Sequence, residues 1–189
     1  MVEVSGVDED AIAATLTHPD PVTLVSALAA AKADVVAHRI AAAHQDAVVV
    51  GCDSMLEIGG ELVGKPGTAA RARQRWIDMA GGSGTLLTGH AVVRVAGGEV
   101  TARAAGAEHT TVRFGRMSGR ELDAYVTSGE PLSVAGGFTL DGLGGWFVDG
   151  IDGDPSSVIG ISLPLTRRLL GEVGVSVVDL WRAGRDAAR

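Results

Sequence analysis

Cysteine is almost missing from this chain. Cys52 stands alone, which excludes a disulfide framework and any metal site built from several thiolates. Aromatic residues are few: three Trp, three Phe and one Tyr. No apolar run approaches the ~20 residues that a bilayer-spanning helix needs. Positive charge is in deficit, with 16 basic against 23 acidic residues and a net charge of −7. A protein that tracks nucleic acid needs a surplus of positive charge to displace counterions, so neither nucleic acid nor a membrane surface is expected as a partner. Met1 to Asp10 is acidic and lacks both a basic stretch and an apolar stretch, so no signal peptide is predicted and the expected compartment is the cytoplasm.

What is present is a globular composition, 46% hydrophobic and 21% charged over 189 residues. That length matches one domain by the prior of roughly 100–200 residues, and it buries about 70% of the surface of the unfolded chain. A single domain over 1–189 is expected. The cations are unevenly divided: 14 arginines but only two lysines, Lys32 and Lys65. Where a generic cation suffices, this chain uses Arg. A site that keeps Lys calls for a compact ammonium on a flexible stem.

Residues 1–5 alternate apolar and polar before Gly6 and read as a strand end. Asp20-Pro21 opens a helix, with Asp as N-cap and Pro at the first helical position. It is expected to run to about 43, with an apolar stripe of Leu24, Ala27, Leu28, Ala31 and Val35. Ala47 to Gly51 reads as a strand buried on both faces. It continues to Ile58, turns at Gly59-Gly60 and returns through Glu61 to Val63. Residues 68–80 read as a helix capped by Thr68 and stopped at Gly81-Gly82. Residues 85–96 and 99–114 read as strands around Gly97-Gly98. Ser118 to Glu121 forms a capping box that opens a short helix to about Ser128. A strand is predicted near Trp146 to Val148. Asp154-Pro155 opens a last helix that Pro164 interrupts or kinks, Val175 to Val178 reads as a final strand, and the tail after Trp181 as frayed. The expected class is α/β, a mixed twisted sheet flanked by helices, because the two hairpins demand antiparallel pairs.

Several residues offer chemistry. Asp53 follows an apolar run, and strand ends are where ligands bind in open α/β sheets. A carboxylate there suits a hard cation or proton abstraction from water, and equally a turn hydrogen bond. Gly64-Lys65-Pro66 sets a charge in a stiff turn, which fits either a ligand or a surface turn, and no P-loop surrounds it. Lys32 lies one position from the apolar stripe, flanked by alanines that admit a partner; a snorkelling helix lysine looks the same. Asp8-Glu9-Asp10 fits a solvated loop or a metal site. Asp141, Asp149, Asp152 and Asp154 crowd a glycine-rich stretch but lack calcium-loop spacing. The histidines have no metal-binding spacing, His90 reads as structural and Cys52 as buried and inert. No serine elbow is present.

Taken in order, Val7-Asp8-Glu9, Ala31-Lys32-Ala33, Gly51-Cys52-Asp53-Ser54 with Gly64-Lys65-Pro66, and the long stretch Ala135 to Gly144, Ile151-Asp152-Gly153 and Val158 to Pro164 resemble the Maf family of nucleoside triphosphate pyrophosphatases. The resemblance runs from about residue 3 to 181, and both lysines fall on the family's lysine positions. It implies an α/β active-site cleft at strand ends and hydrolysis of a nucleoside triphosphate to a monophosphate and pyrophosphate, with Mg²⁺ or Mn²⁺. It further implies Asp53 as general base, Glu9 as metal ligand or second base, a metal held by Glu9 and Asp53, Lys32 and Lys65 on the phosphates, and a homodimer.

Two departures stand out. The family's Ser-x-Ser-x-Arg-Arg loop would lie upstream of residue 1, and Arg167-Arg168 stands in the wrong context to replace it. Weaker activity and stability than in a chain extended by about 25–30 residues are therefore expected. The other readings are a protein that binds nucleotide with little or no catalysis, and an unrelated small-molecule enzyme on a similar scaffold. Second, Asp141 stands where the commoner form has glutamine. In the subgroup with an acidic residue there, the resemblance implies base recognition by Asp141 and a modified guanine nucleotide such as 7-methyl-GTP, rather than dTTP or UTP.

Overall fold

Local signals start most of the helices in the computed structural model, which describes residues 1–186. Asp8 caps α1 (Glu9–Thr15), its Oδ1 accepting from the Ala11 amide at 2.9 Å. The acidic run is thus a helix start, where negative charge meets the positive end of the dipole. Asp20 caps α2 (Pro21–Ala41) through the Thr23 amide. Thr68 caps α3 (Ala69–Met79), and the Ser118/Glu121 capping box opens α4 (Gly119–Thr127). Asp154 caps the short α5 (Pro155–Ile159). The run from Asp154 is interrupted rather than kinked: Gly160 ends α5, and α6 (Leu163–Glu172) begins anew with Pro164 in its first turn, where a missing N–H is harmless.

The strands are β1 (Asp46–Ile58), β2 (Glu61–Val63), β3 (Ser83–Ala96), β4 (Glu99–Phe114) and β5 (Val148–Asp152), in the order β2-β1-β3-β4-β5. Gly59 and Gly60 have φ of 60° and 82°, as a tight hairpin turn requires, and they pair Leu56 with Val63 and Ile58 with Glu61. β4 and β5 pair antiparallel, with a bulge between Arg113 and Phe114. β1 and β3 also run in opposite directions, because Ser54 meets Thr88 while Glu57 meets Gly84. The α/β class stands, but the sheet is antiparallel where a mixed one was expected. The sequence marks hairpins but not the direction of a strand reached through a helix.

Other differences are local. Residues 1–5 form no strand, and Val2 and Val4 are exposed. Of the strand expected near Trp146 to Val148, Trp146 and Phe147 lie in a 3₁₀ turn over Leu143–Phe147, and the strand starts only at Val148. Val175 to Val178 is not a strand: Ser176 takes the Val178 amide on its Oγ and starts α7 (Val177–Asp186). The chain after Trp181 therefore remains helical to Asp186, and the rest of the expected frayed tail lies outside the described residues.

The residues group into two compact units. One comprises Met1–Asp53, Gly89–Ala107 and the chain from Leu163. Here α2 packs Ala29, Ala33, Ala37 and Ala41 against Ala91, Val93 and Val95, while Val92, on the other face of β3, meets Leu165 and Leu169 of α6. The buried face of α2 is Val25, Leu28, Ala29, Ala33, Val36 and Ala37, and Val35 is exposed. The expected stripe is rotated because alanines, not the larger residues, sit closest to the sheet. Val50 is 37% exposed, so β1 is not buried on both faces there.

The other unit, Ser54–Thr88 and Glu108–Ser162, has an aromatic core. Trp76 meets Phe114, Tyr125 and Phe147 edge-on at 5.7–6.2 Å between ring centres. Each such pair contributes about 0.5–1.5 kcal/mol beyond its buried area.

Candidate active site

In the first unit, Glu9, Lys32 and Asp53 meet. The Lys32 ammonium lies 2.7 Å from Glu9 Oε1 and 2.5 Å from Asp53 Oδ1. Asp53 lies inside β1 rather than at its end, and it is buried. Glu9 projects from the first residue of α1, and Lys32 from the middle of α2. Neither the snorkelling reading of Lys32 nor the turn reading of Asp53 describes this arrangement.

Close helix–strand packing makes it possible. A methyl group on Gly51 would lie 2.6 Å from the Ala29 carbonyl oxygen, and one on Gly89 would lie 2.2 Å from that of Val25. The bare glycine backbones let α2 descend onto β1 and β3, which carries Lys32 to Asp53.

Burial pushes the Lys32 pKa down, but the hydrogen bonds and charges of Asp53 and Glu9 outweigh it and hold the pKa above the usual lysine range. The group is a permanent cation. An ammonium has three N–H donors, and the two carboxylates engage two of them. Cys52, half-buried beside the pair, has its thiol pushed up to about 11 by burial and by the Asp53 charge, so it is a poor nucleophile at neutral pH. Lys32, Gly51 and Cys52 also line a cavity of about 500 Å³ together with Glu3, Val36 and Val48.

The second unit holds Lys65 and Asp141. Lys65 is exposed at the tip of a pinned turn. Gly64 O accepts from Arg75 Nη1 at 2.5 Å and from the Gly136 amide at 3.3 Å, and the Gly67 amide donates to Leu132 O at 2.9 Å. Arg75 is a structural partner the sequence did not reveal, since nothing in its spacing marks it among so many arginines. Asp141 is exposed at the crest of a loop held by Glu130, the other residue missed.

Two of the remaining aspartates of the glycine-rich stretch have separate tasks. Asp154 caps α5, and Asp152 pairs with Arg113. Among the described residues no three His, Cys, Asp or Glu side chains converge as a metal cage, and no helix is long and apolar enough to cross a membrane. His90 is fully buried in β3.

The chain belongs to the Maf-like family, described as Maf-like protein, which matches residues 1–173. It is 66% identical over 182 residues to a protein of Saccharopolyspora erythraea named nucleoside triphosphate pyrophosphatase, an alignment covering 96% of this chain and 86% of that one. Proteins of the same name from Nocardia farcinica and a Mycobacterium species are 62% and 58% identical, over 96% of this chain and 86% and 87% of theirs.

Proposed function

We propose that the protein hydrolyses a nucleoside triphosphate to the monophosphate and pyrophosphate at the Glu9–Lys32–Asp53 cluster. The observation that carries this reading is the Lys32 ammonium, fixed by two carboxylates with its third N–H left for a phosphate oxygen. Phosphoryl chemistry asks chiefly for positioning and charge neutralisation. Asp53 accepts a proton from water as the water oxygen bonds to the α-phosphorus. The bond from that phosphorus to the bridging oxygen breaks, and its electron pair leaves with pyrophosphate. Lys32 holds phosphate oxygens in line for the attack, and Lys65 contributes a second ammonium to the triphosphate.

Two carboxylates are too few for an all-protein metal cage, yet they fit Mg²⁺ or Mn²⁺, which are commonly bound through one or two carboxylates plus substrate phosphates. Glu9 and Asp53 would hold such an ion, which neutralises phosphate charge and polarises the phosphoryl oxygens when bound.

Asp141 selects the base in this reading. A carboxylate only accepts. Guanine presents two adjacent donors, whereas uracil flanks its single N–H with carbonyls, and a mismatched polar edge is strongly rejected. A purine of the 7-methylguanine type is therefore preferred to dTTP and UTP. The reading also takes the protein as a cytoplasmic homodimer, which light scattering and fractionation check. The deciding experiment incubates the protein with each triphosphate and Mg²⁺ or Mn²⁺. Pyrophosphate release supports the proposal; binding without turnover, or orthophosphate alone, refutes it.

A further inference from the structure

The loop that carries Asp141 is wound about a single carboxylate. Glu130 accepts from the Thr139 hydroxyl, from the Leu143 amide at 3.1 Å and from the Gly144 amide at 3.1 Å. Thr139 Oγ1 also takes the Gly144 amide at 3.2 Å, so both limbs of the loop close on the same group. The wrap is tight. A methyl on Gly142 would stand 2.7 Å from Glu130 Oε1, and one on Gly144 would stand 2.5 Å from Tyr125 Oη. Glu130 is itself fixed, its amide donating to Ser128 Oγ at 3.2 Å after Gly129 turns the chain at φ 78°. Burial pushes the Glu130 pKa up, but the hydrogen bonds from Thr139, Leu143 and Gly144 overcome this and hold it below the usual range. The anion is therefore present throughout the neutral range.

No strand or α-helix supplies backbone partners over residues 139–142. The carboxylate takes the place of that missing ladder. Asp141 lies between the anchored Thr139 and the anchored Leu143, with its own side chain exposed. Discrimination between base edges needs a side chain held within about 0.5 Å and 10–20°, and an unanchored crest does not provide that.

From this geometry we infer that Glu130 is a positioning residue, which sets the base preference of the enzyme by fixing the loop that presents Asp141. The inference rests on the reading of Asp141 as the base-selecting side chain. The Thr139 hydroxyl and the Leu143 and Gly144 amides all donate to Glu130, with the Tyr125 hydroxyl acting on it as well, and a carboxylate can accept from all of them. A glutamine of the same shape turns an NH₂ toward at least one of them and leaves a partly buried donor unmatched.

The test uses the full protein and measures kcat and KM separately for 7-methyl-GTP and UTP in the parent, E130Q, T139V, T139S and D141Q, alongside hydrogen exchange of the ligand-free protein. E130Q is expected to speed exchange of the Leu143 and Gly144 amides at least about tenfold. It should shift the 7-methyl-GTP to UTP preference in the same direction as D141Q, through KM for 7-methyl-GTP, with kcat for UTP within about threefold. T139V should do the same more weakly, and T139S, which restores the hydroxyl, should return the parental ratio. T139V keeps the question answerable if E130Q fails to fold. A D141Q protein that moves the ratio while E130Q and T139V do not overturns this inference alone. A D141Q protein that leaves the ratio unmoved overturns the base-selection reading and this inference with it. Unchanged exchange in E130Q overturns the anchoring itself.

Discussion

A Gly51→Ala substitution places a methyl 2.6 Å from the Ala29 carbonyl oxygen and 2.9 Å from the Ala33 nitrogen of α2. Both are backbone atoms, so no side-chain rotation relieves the overlap. Ordinary contact begins near 3.4 Å, and the gap from 2.6 Å obliges the helix to retreat by roughly 0.8 Å. Overpacking of this kind costs about 1–3 kcal/mol. For a chain of this size 1 kcal/mol moves Tm by about 2–4 °C, so a fall of roughly 2–12 °C is expected. Lys32 lies on the turn between the two clashing residues and moves with them. Its flexible stem recovers part of the displacement, yet a misplacement near 1 Å can cost as much as about 100-fold in rate. We expect kcat/KM for pyrophosphate release to fall by roughly tenfold or more.

Gly89→Ala meets the Val25 oxygen at 2.2 Å, a larger overlap, and should be the more damaging of the two. Gly119→Ala, with nothing within 4 Å and a place in the first turn of α4, should be neutral or slightly stabilising. Thermal melts and steady-state kinetics on the three variants check the ranking. Parental Tm and activity in Gly51→Ala would falsify the claim that close packing of α2 assembles the site.

Asp53→Asn keeps the shape of the side chain and removes its capacity to take a proton, so kcat should drop by about 10²–10⁴ with folding intact; activity within threefold of the parent removes Asp53 from the mechanism. Lys65→Ala removes an exposed ammonium, and charge-assisted hydrogen bonds contribute about 1.5–3 kcal/mol; KM should rise by roughly 10–150-fold with Tm unchanged, and an unaltered KM shows that Lys65 does not touch the triphosphate. Stability should be flat across neutral pH and fall at both ends. The raised pKa of Lys32 supplies stability that is complete below about 10.4 and is lost as pH climbs through the folded value. The lowered pKa of Glu130 supplies stability present above about 4.3 and lost as pH falls through the folded value. Melts from acid to alkaline pH should show the alkaline limb flattened in Lys32→Met and the acid limb flattened in Glu130→Ala; limbs identical to the parent's would separate these groups from the pH response.

What the sequence determined by itself was local. The caps at Asp20, Thr68, Ser118 and Asp154, and the glycine pairs at 59–60 and 97–98, act through hydrogen bonds and dihedrals within a few residues. They were readable because nothing distant is needed to satisfy them. Glu9, Lys32 and Asp53 stood out as candidates too, through residue types and order along the chain. The tertiary structure alone decided that these three share one ammonium. It also decided that α2 turns its alanines rather than Leu24 and Val35 toward the sheet, that β1 and β3 run antiparallel, and that Glu130 anchors the loop of Asp141. Each of these depends on atoms far apart in sequence, and on how near two backbones can come when one offers only glycine. Periodicity ranks residues by hydrophobicity, whereas the approach of α2 was set by the absence of side chains at Gly51 and Gly89, an effect of volume that a hydrophobic pattern does not register.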